Sequence, residues 1–144
     1  MSAEVQTIEP TKTLIKQFEN QLKKAEQIAI KTTHRFLDGL YSREVYMPKG
    51  SIVTSKTHNL ENLTIISQGK CIEVSEEYGT RILVAPETFI SPAGIKRALY
   101  MLEDTVWTTV HHNPDNTQNL DELELKIIKN EDPLLEQEVA KCLG

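Results

Sequence analysis

The chain has 144 residues and carries 16 Lys and Arg against 21 Asp and Glu, a formal net charge of -5. That length suits one domain able to bury a core without disulfide or metal staples. The acidic balance excludes a general binder of nucleic acid or membrane surfaces, because either needs an excess of cations to meet phosphates; a local basic pocket stays open.

Residues 1–10 are polar and end in Pro10, which predicts a loose leader; there is no basic-then-apolar signal and no long apolar run. The expectation is a soluble, intracellular protein. From Thr11 to Phe36, residues Ile15, Phe18, Leu22, Ala25 and Ala29 recur at steps of three and four, a narrow apolar seam on one helix. The seam packs either on the remainder of its own chain or, at this heptad-like spacing, on a second subunit.

From Tyr41 the pattern changes to short β-branched and apolar runs punctuated by Pro48, Gly50, Gly69, Gly79, Pro86, Pro92 and Gly94. REVYMP, SIVTS, NLTIIS, KCIEVS, TRILVA, ETFIS, RALYML and TVWTTV read as strands of an all-β barrel or sandwich, with EEYGTR a hairpin turn. Cys71 falls in one of these runs as a core thiol, and neither it nor Cys142 has metal-like spacing. After NPDNTQ, NLDELELKIIK reads as a helix with Asn119 as N-cap and Glu122 placed for a capping box, and DPLLEQEVAKCL as a second helix capped by Asp132. The expected organisation is a leader and amphipathic helix over 1–40, a β-barrel over 41–113 and a helical appendage over 114–144.

Two spacings stand out within the barrel. Gly50, five residues, Lys56-Thr57-His58, three residues, Asn62, six residues and Gly69 form the first; Pro86, five residues, Pro92-Ala93-Gly94, two residues, Arg97, three residues and Met101 form the second. In spacing the pair resembles the two motifs of the cupins, small double-stranded β-helix or jelly-roll barrels whose HxH, Glu and His positions converge on a metal. Over a longer span the chain resembles small single-domain phage cupins, through His34, Phe36, Gly39, Tyr41 and Arg43, EDTVWTTVH and the acidic DELE. The resemblance implies a mainly β jelly-roll barrel with an N-terminal helix and two short C-terminal helices, of viral origin, acting in the host cytoplasm or within the virion.

It also implies that Lys56, His58, Asn62 and Arg97 face one spot inside the barrel. Two cations and one imidazole do not assemble a divalent-metal site, since Arg stays protonated and Lys must lose its proton to coordinate. No cofactor and no metal are expected. Lys56 and Arg97 require either an internal carboxylate, with Glu61, Glu87, Glu103 and Asp104 as candidates, or a bound anion. On the second alternative Arg97 grips a small anionic, nucleotide-like ligand, Lys56 supplies charge, His58 and Asn62 direct hydrogen bonds, and Tyr100, Tyr41 or Trp107 stacks on a base or sugar. His111 and His112 point to opposite faces of one strand and mark its end; His34 reads as a capping or packing residue.

Three functions fit. The first is a non-catalytic module binding a nucleotide-derived anion, such as a sponge for a bacterial immune signal. The second is a structural or assembly component of the particle, contacting other virion proteins. The third is a metal-free sugar-nucleotide epimerase using His58 with Tyr100 or Tyr41, although no carboxylate is evident to orient His58. A homo-oligomer, most simply a dimer, is expected because pairing relieves exposed sheet edges.

Overall fold

The computed structural model describes residues 9–128. After α1 (Lys12–Leu22) the chain forms β1 (Lys31–Leu37), β2 (Leu40–Met47), β3 (Ile52–Thr54), β4 (Asn62–Gln68) and β5 (Lys70–Ser75). Then follow β6 (Gly79–Val84), β7 (Glu87–Ser91), β8 (Arg97–Met101), β9 (Thr105–His112) and α2 (Leu120–Ile127). The strands make two antiparallel sheets, one ordered β1-β2-β9-β4-β7 and the other β3-β8-β5-β6. Among the described residues no helix is long and apolar enough to cross a membrane.

Strand alternation sends one face of each sheet inward. Val45, Met47, Ile66 and Trp107 from the five-stranded sheet meet Val53, Cys71, Leu83, Leu99 and Met101 from the four-stranded sheet in one apolar core. Burial pushes the Cys71 thiol up to about 11, as befits an inert core group. The turns rest on backbone that β-carbons resist: Gly79 closes the β5–β6 hairpin at φ +66. Gly69 between β4 and β5 sits at φ +99, where an added Cβ would come within 2.7 Å of Thr105 Cα and closer still to the Asp104 carbonyl.

The N-terminal helix is shorter than its sequence predicts. It ends at Leu22, and Lys31–Leu37, expected as helix, pairs with β2 so that His34 lies opposite Arg43. The apolar periodicity overran this boundary, whereas Thr32 and Thr33 beside Phe36 favour extended backbone and had an open strand edge to join. The five-stranded sheet therefore starts before Tyr41. The helix faces its own barrel, but not through the whole seam: Ile15 is buried, Phe18 is largely exposed, and the next buried position is Glu19. Glu19 Oε2 lies 2.7 Å from Lys96 Nζ, both residues almost wholly buried, so an ion pair rather than a row of apolar side chains anchors α1.

At the other end Asn119 Oδ1 accepts from the Asp121 and Glu122 amides and starts α2. Glu122 takes the Thr117 hydroxyl instead of returning to the Asn119 amide, so the reciprocal half of the capping box does not form. DPLLEQEVAKCL, Cys142 and residues 1–8 lie outside the described residues. α2 is strapped to the β3–β4 loop: the Asn59 amide donates to Ile127 O at 2.7 Å, Asn59 Nδ2 donates to Lys126 O at 3.1 Å, and His58 forms a β-bridge with Ile128. With Leu123 buried beneath it, this helix closes one end of the barrel.

Candidate ligand cavity

Alternation divides the barrel interior into two halves. On β2 the inward residues run Tyr41, Arg43, Val45, Met47, and on β9 they run His111, Thr109, Trp107 in matching register. Val45, Met47, Val53, Leu99 and Trp107 make an apolar half; His34, Tyr41, Arg43, His58, Thr109 and His111 make a polar one. Between them and α2 lies a cavity of about 350 Å³, to whose lining α2 contributes Leu120, Asp121, Leu123, Glu124 and Ile127. That volume is at the small end of ligand pockets, ~300–1,000 Å³, which suits a single nucleotide or something smaller.

The two cations predicted to share the interior are both matched by carboxylates, as one alternative expected, though not by the residues named for it. Lys56 Nζ pairs with Glu124 from α2. Arg97 Nε donates to Glu73 Oε2 at 2.8 Å, while Glu73 Oε1 accepts from Arg81 Nε at 2.6 Å. Glu61, Glu87, Glu103 and Asp104 are not the partners. Burial lowers the Arg97 pKa and Glu73 opposes that shift, so the guanidinium stays charged. Its Cζ lies 5.5 Å from the Trp107 ring centroid.

From Arg97 a buried polar chain runs across to the other sheet. Arg97 Nη2 reaches Ser91 Oγ at 2.8 Å, Ser91 Oγ lies 2.7 Å from Thr64 Oγ1, Thr64 Oγ1 donates to Asn62 Oδ1 at 3.0 Å, and Asn62 Nδ2 lies 3.2 Å from His58 Nδ1. Asn62 thus serves as a support behind His58 instead of a lining group of the cavity. Among the described residues the side chain bonded to His58 Nδ1 is the Asn62 carboxamide and not a carboxylate.

Tyr100 is a correction. It is even-numbered on β8, between inward Leu99 and Met101, and so points out of the barrel, 42% exposed, where it pairs across the sheet with Ile52 and Ile72. The interior tyrosine is Tyr41, whose hydroxyl lies 2.7 Å from His34 Nδ1, and whose ring stacks with those of His34, Phe36 and His111. Of the two roles expected for His34, capping or packing, it takes the packing one, against Tyr41 in the cavity wall. His111 is inward with Trp107 and Thr109, its Nε2 2.8 Å from Thr109 Oγ1; His112 is exposed and ends β9.

Arg43 escaped the motif spacing, which concerns later strands. Its odd-numbered phase with Tyr41, Val45 and Met47 was the available signal. Half-buried beside the three imidazoles, its charge helps hold them neutral. Desolvation first, then His111, Arg97, Arg43 and Lys56, lower His58 to about 3; desolvation and then Arg43 lower His111 to about 4, and the same two causes lower His34. The positions that would hold a metal in such a barrel, Lys56, His58, Asn62 and Arg97, do not fit one: three are engaged as cations or as an amide support. Among the described residues no three His, Cys, Asp or Glu side chains converge to hold one elsewhere.

The two packed sheets form a small jelly-roll barrel with an interior cavity. No protein-family model matches the chain, and no curated protein matches it. Among solved structures, an RmlC-like cupin from Shewanella frigidimarina superposes with a TM-score of 0.51 at 13% identity, over 67% of this chain and 86% of that one. A cupin superfamily protein from Desulfitobacterium hafniense gives 0.50 at 13% identity over 61% and 81%. Ectoine synthase from P. lautus gives 0.51 at 10% over 60% and 65%. The fold is the cupin fold, mainly β, with one N-terminal and one short C-terminal helix in the described residues.

The buried imidazoles predict an acid-sensitive fold. His58 and His111 titrate below their unfolded value of 6.5, so between there and about 4 the unfolded chain binds more protons than the folded one. Their neutral-form stability is complete above pH 6.5 and is lost on acidification, by about 1.4 kcal/mol per pH unit for each ring. Urea unfolding between pH 6.5 and about 5, above the range of ordinary carboxylates, will show this slope, and His58→Gln and His111→Gln will each reduce it.

Proposed function

We propose that this protein is a non-catalytic cupin that binds a small, nucleotide-derived anion inside its barrel. The supporting observation is Arg43, a fixed charge among three imidazoles at the polar end of a lidded cavity whose other half is apolar. Lys56 and Arg97 pair with Glu124 and Glu73, and Arg43 adds a third cation to the wall of the same cavity. The apolar half with Trp107 receives a base or sugar, and Tyr41 and His111 flank the anionic group. Such a module would sequester a nucleotide signal in a host cytoplasm, in keeping with the likeness to phage cupins. A cavity of about 350 Å³ is large enough for a ligand on the scale of one nucleotide. Calorimetric titration with AMP and adenosine tests it. AMP binds, adenosine binds at least tenfold more weakly, and Arg43→Met abolishes the difference. Removing the matched pair, Lys56→Met with Glu124→Leu, changes AMP affinity less than threefold. Equal binding of AMP and adenosine to the native protein contradicts the reading.

A second reading, an assembly component acting as a homo-oligomer, draws on the internal matching of Lys56 and Arg97 and on a row of outward residues. Ile52, Tyr100, Ile72 and Ile82 are successive cross-strand partners over all four strands of the β3-β8-β5-β6 sheet, and three of the four are exposed. A self-complementary face of this kind suits a two-fold dimer. Light scattering will then give a dimer mass that Ile82→Lys with Tyr100→Lys halves; a native monomer at 100 μM or so would rule this reading out.

A further inference from the structure

The buried chain between the sheets has a direction, and the direction assigns a proton. Arginine only donates, so Ser91 Oγ must accept from Arg97 Nη2. With that end fixed, one arrangement satisfies every group: the Ser91 hydroxyl donates to Thr64 Oγ1, and the Thr64 hydroxyl donates to Asn62 Oδ1. The Asn62 carboxamide is thereby turned with its NH2 toward His58, whose Nδ1 accepts.

The opposite sense fails on Ser91. It would place the Asn62 NH2 on Thr64 and the Thr64 hydroxyl on Ser91, so that Ser91 accepted twice and its own hydrogen found no acceptor among its bonds in the described residues. Ser91 is fully buried and has no solvent to turn to. A buried donor left without an acceptor bears its full desolvation penalty.

A neutral imidazole has a single N–H. With Nδ1 accepting from Asn62, that hydrogen is on Nε2. A metal ion needs a bare ring nitrogen, usually with the other nitrogen donating to a carboxylate or carbonyl; here the support behind the ring is of the opposite polarity. With an amide behind its Nδ1, His58 offers a hydrogen and not a bare nitrogen.

We propose that His58 is a locked Nε2–H donor in the cavity wall which, together with the Arg43 guanidinium, selects ligands through an oxyanion, carboxylate or phosphate. The inference rests on the binding reading above for its ligand, and on the hydrogen-bond chain alone for its tautomer. Neutral groups that need a donor partner, such as amides and alcohols, gain less at this site, because both His58 and Arg43 present only hydrogens.

Long-range 1H–15N spectra of the labelled protein at pH 7 read the tautomer directly. The native protein will show His58 with Nδ1 unprotonated and Nε2 protonated. In Asn62→Asp, a near-isosteric change, the carboxylate will draw the hydrogen to Nδ1 and the two shifts will exchange. The same samples are titrated with AMP and benzoate, and with adenosine and benzamide as their neutral counterparts. Both anions, or one of them, will perturb the His58 Nε2–H and lose at least tenfold in affinity in Asn62→Asp. A response to AMP alone identifies a phosphate site, and to benzoate alone a carboxylate site. A native Nδ1–H tautomer overturns the proposal, as does undiminished anion affinity in Asn62→Asp once the tautomer has switched. Native Nε2–H with no binding of either anion overturns the ligand reading, and with it the selectivity, while leaving the assigned tautomer intact.

Discussion

Glu73 sits fully buried between two guanidinium groups, 2.8 Å from Arg97 Nε and 2.6 Å from Arg81 Nε. Taking a carboxylate and an arginine out of water costs several kcal/mol per ion, recovered only when geometry is good and the remaining polar atoms find partners. Here they do: the second carboxylate oxygen takes Arg81, and Arg97 spends Nη2 on Ser91. Because Arg97 cannot accept, its presence propagates through Ser91, Thr64 and Asn62 to His58 on the far side of the cavity. One ion pair thus fixes a side chain four hydrogen bonds away.

The remainder of the interior follows from strand phase. Odd-numbered residues of β2, β8 and β9 face inward, which gathers apolar groups in one half and Tyr41, Arg43, Thr109 and His111 in the other. α2 then closes the polar half through the Asn59 strap and the Lys56–Glu124 pair. Arg43, on a strand that the motif does not include, brings a third cation to that half of the cavity.

The strands and turns were legible because their signals are local. Gly50, Gly69 and Gly94 fall at the spaced positions and adopt φ of +84, +99 and +82, and the β-branched runs between them are the strands. β1 was not legible: Thr32, Thr33 and Phe36 followed directly on a helical seam, and only the open edge of β2 decided the outcome. Glu73 was hidden for a different reason. In KCIEVS the core phase of Cys71 carries Glu73 and Ser75 inward with it, and all three are buried although Ile72 and Val74 are the more apolar pair. A charged residue in the inward phase is stable only opposite a matching one, and its partner Arg97 lies 24 residues further along. Lys56 was placed inside correctly, but its carboxylate comes from a helix with no periodic relation to the barrel. Tyr100 was chosen for its ring, when its even number on β8 already turned it outward.

The account depends most on Glu73 as the counter-charge of Arg97, and chemical denaturation of Glu73→Gln tests that claim most directly. Leaving Arg97 buried without its anion is expected to cost about 3–5 kcal/mol, with most of the loss recovered when Arg97→Met and Arg81→Met are added. A loss below about 1 kcal/mol, the level of an exposed surface pair, would contradict it.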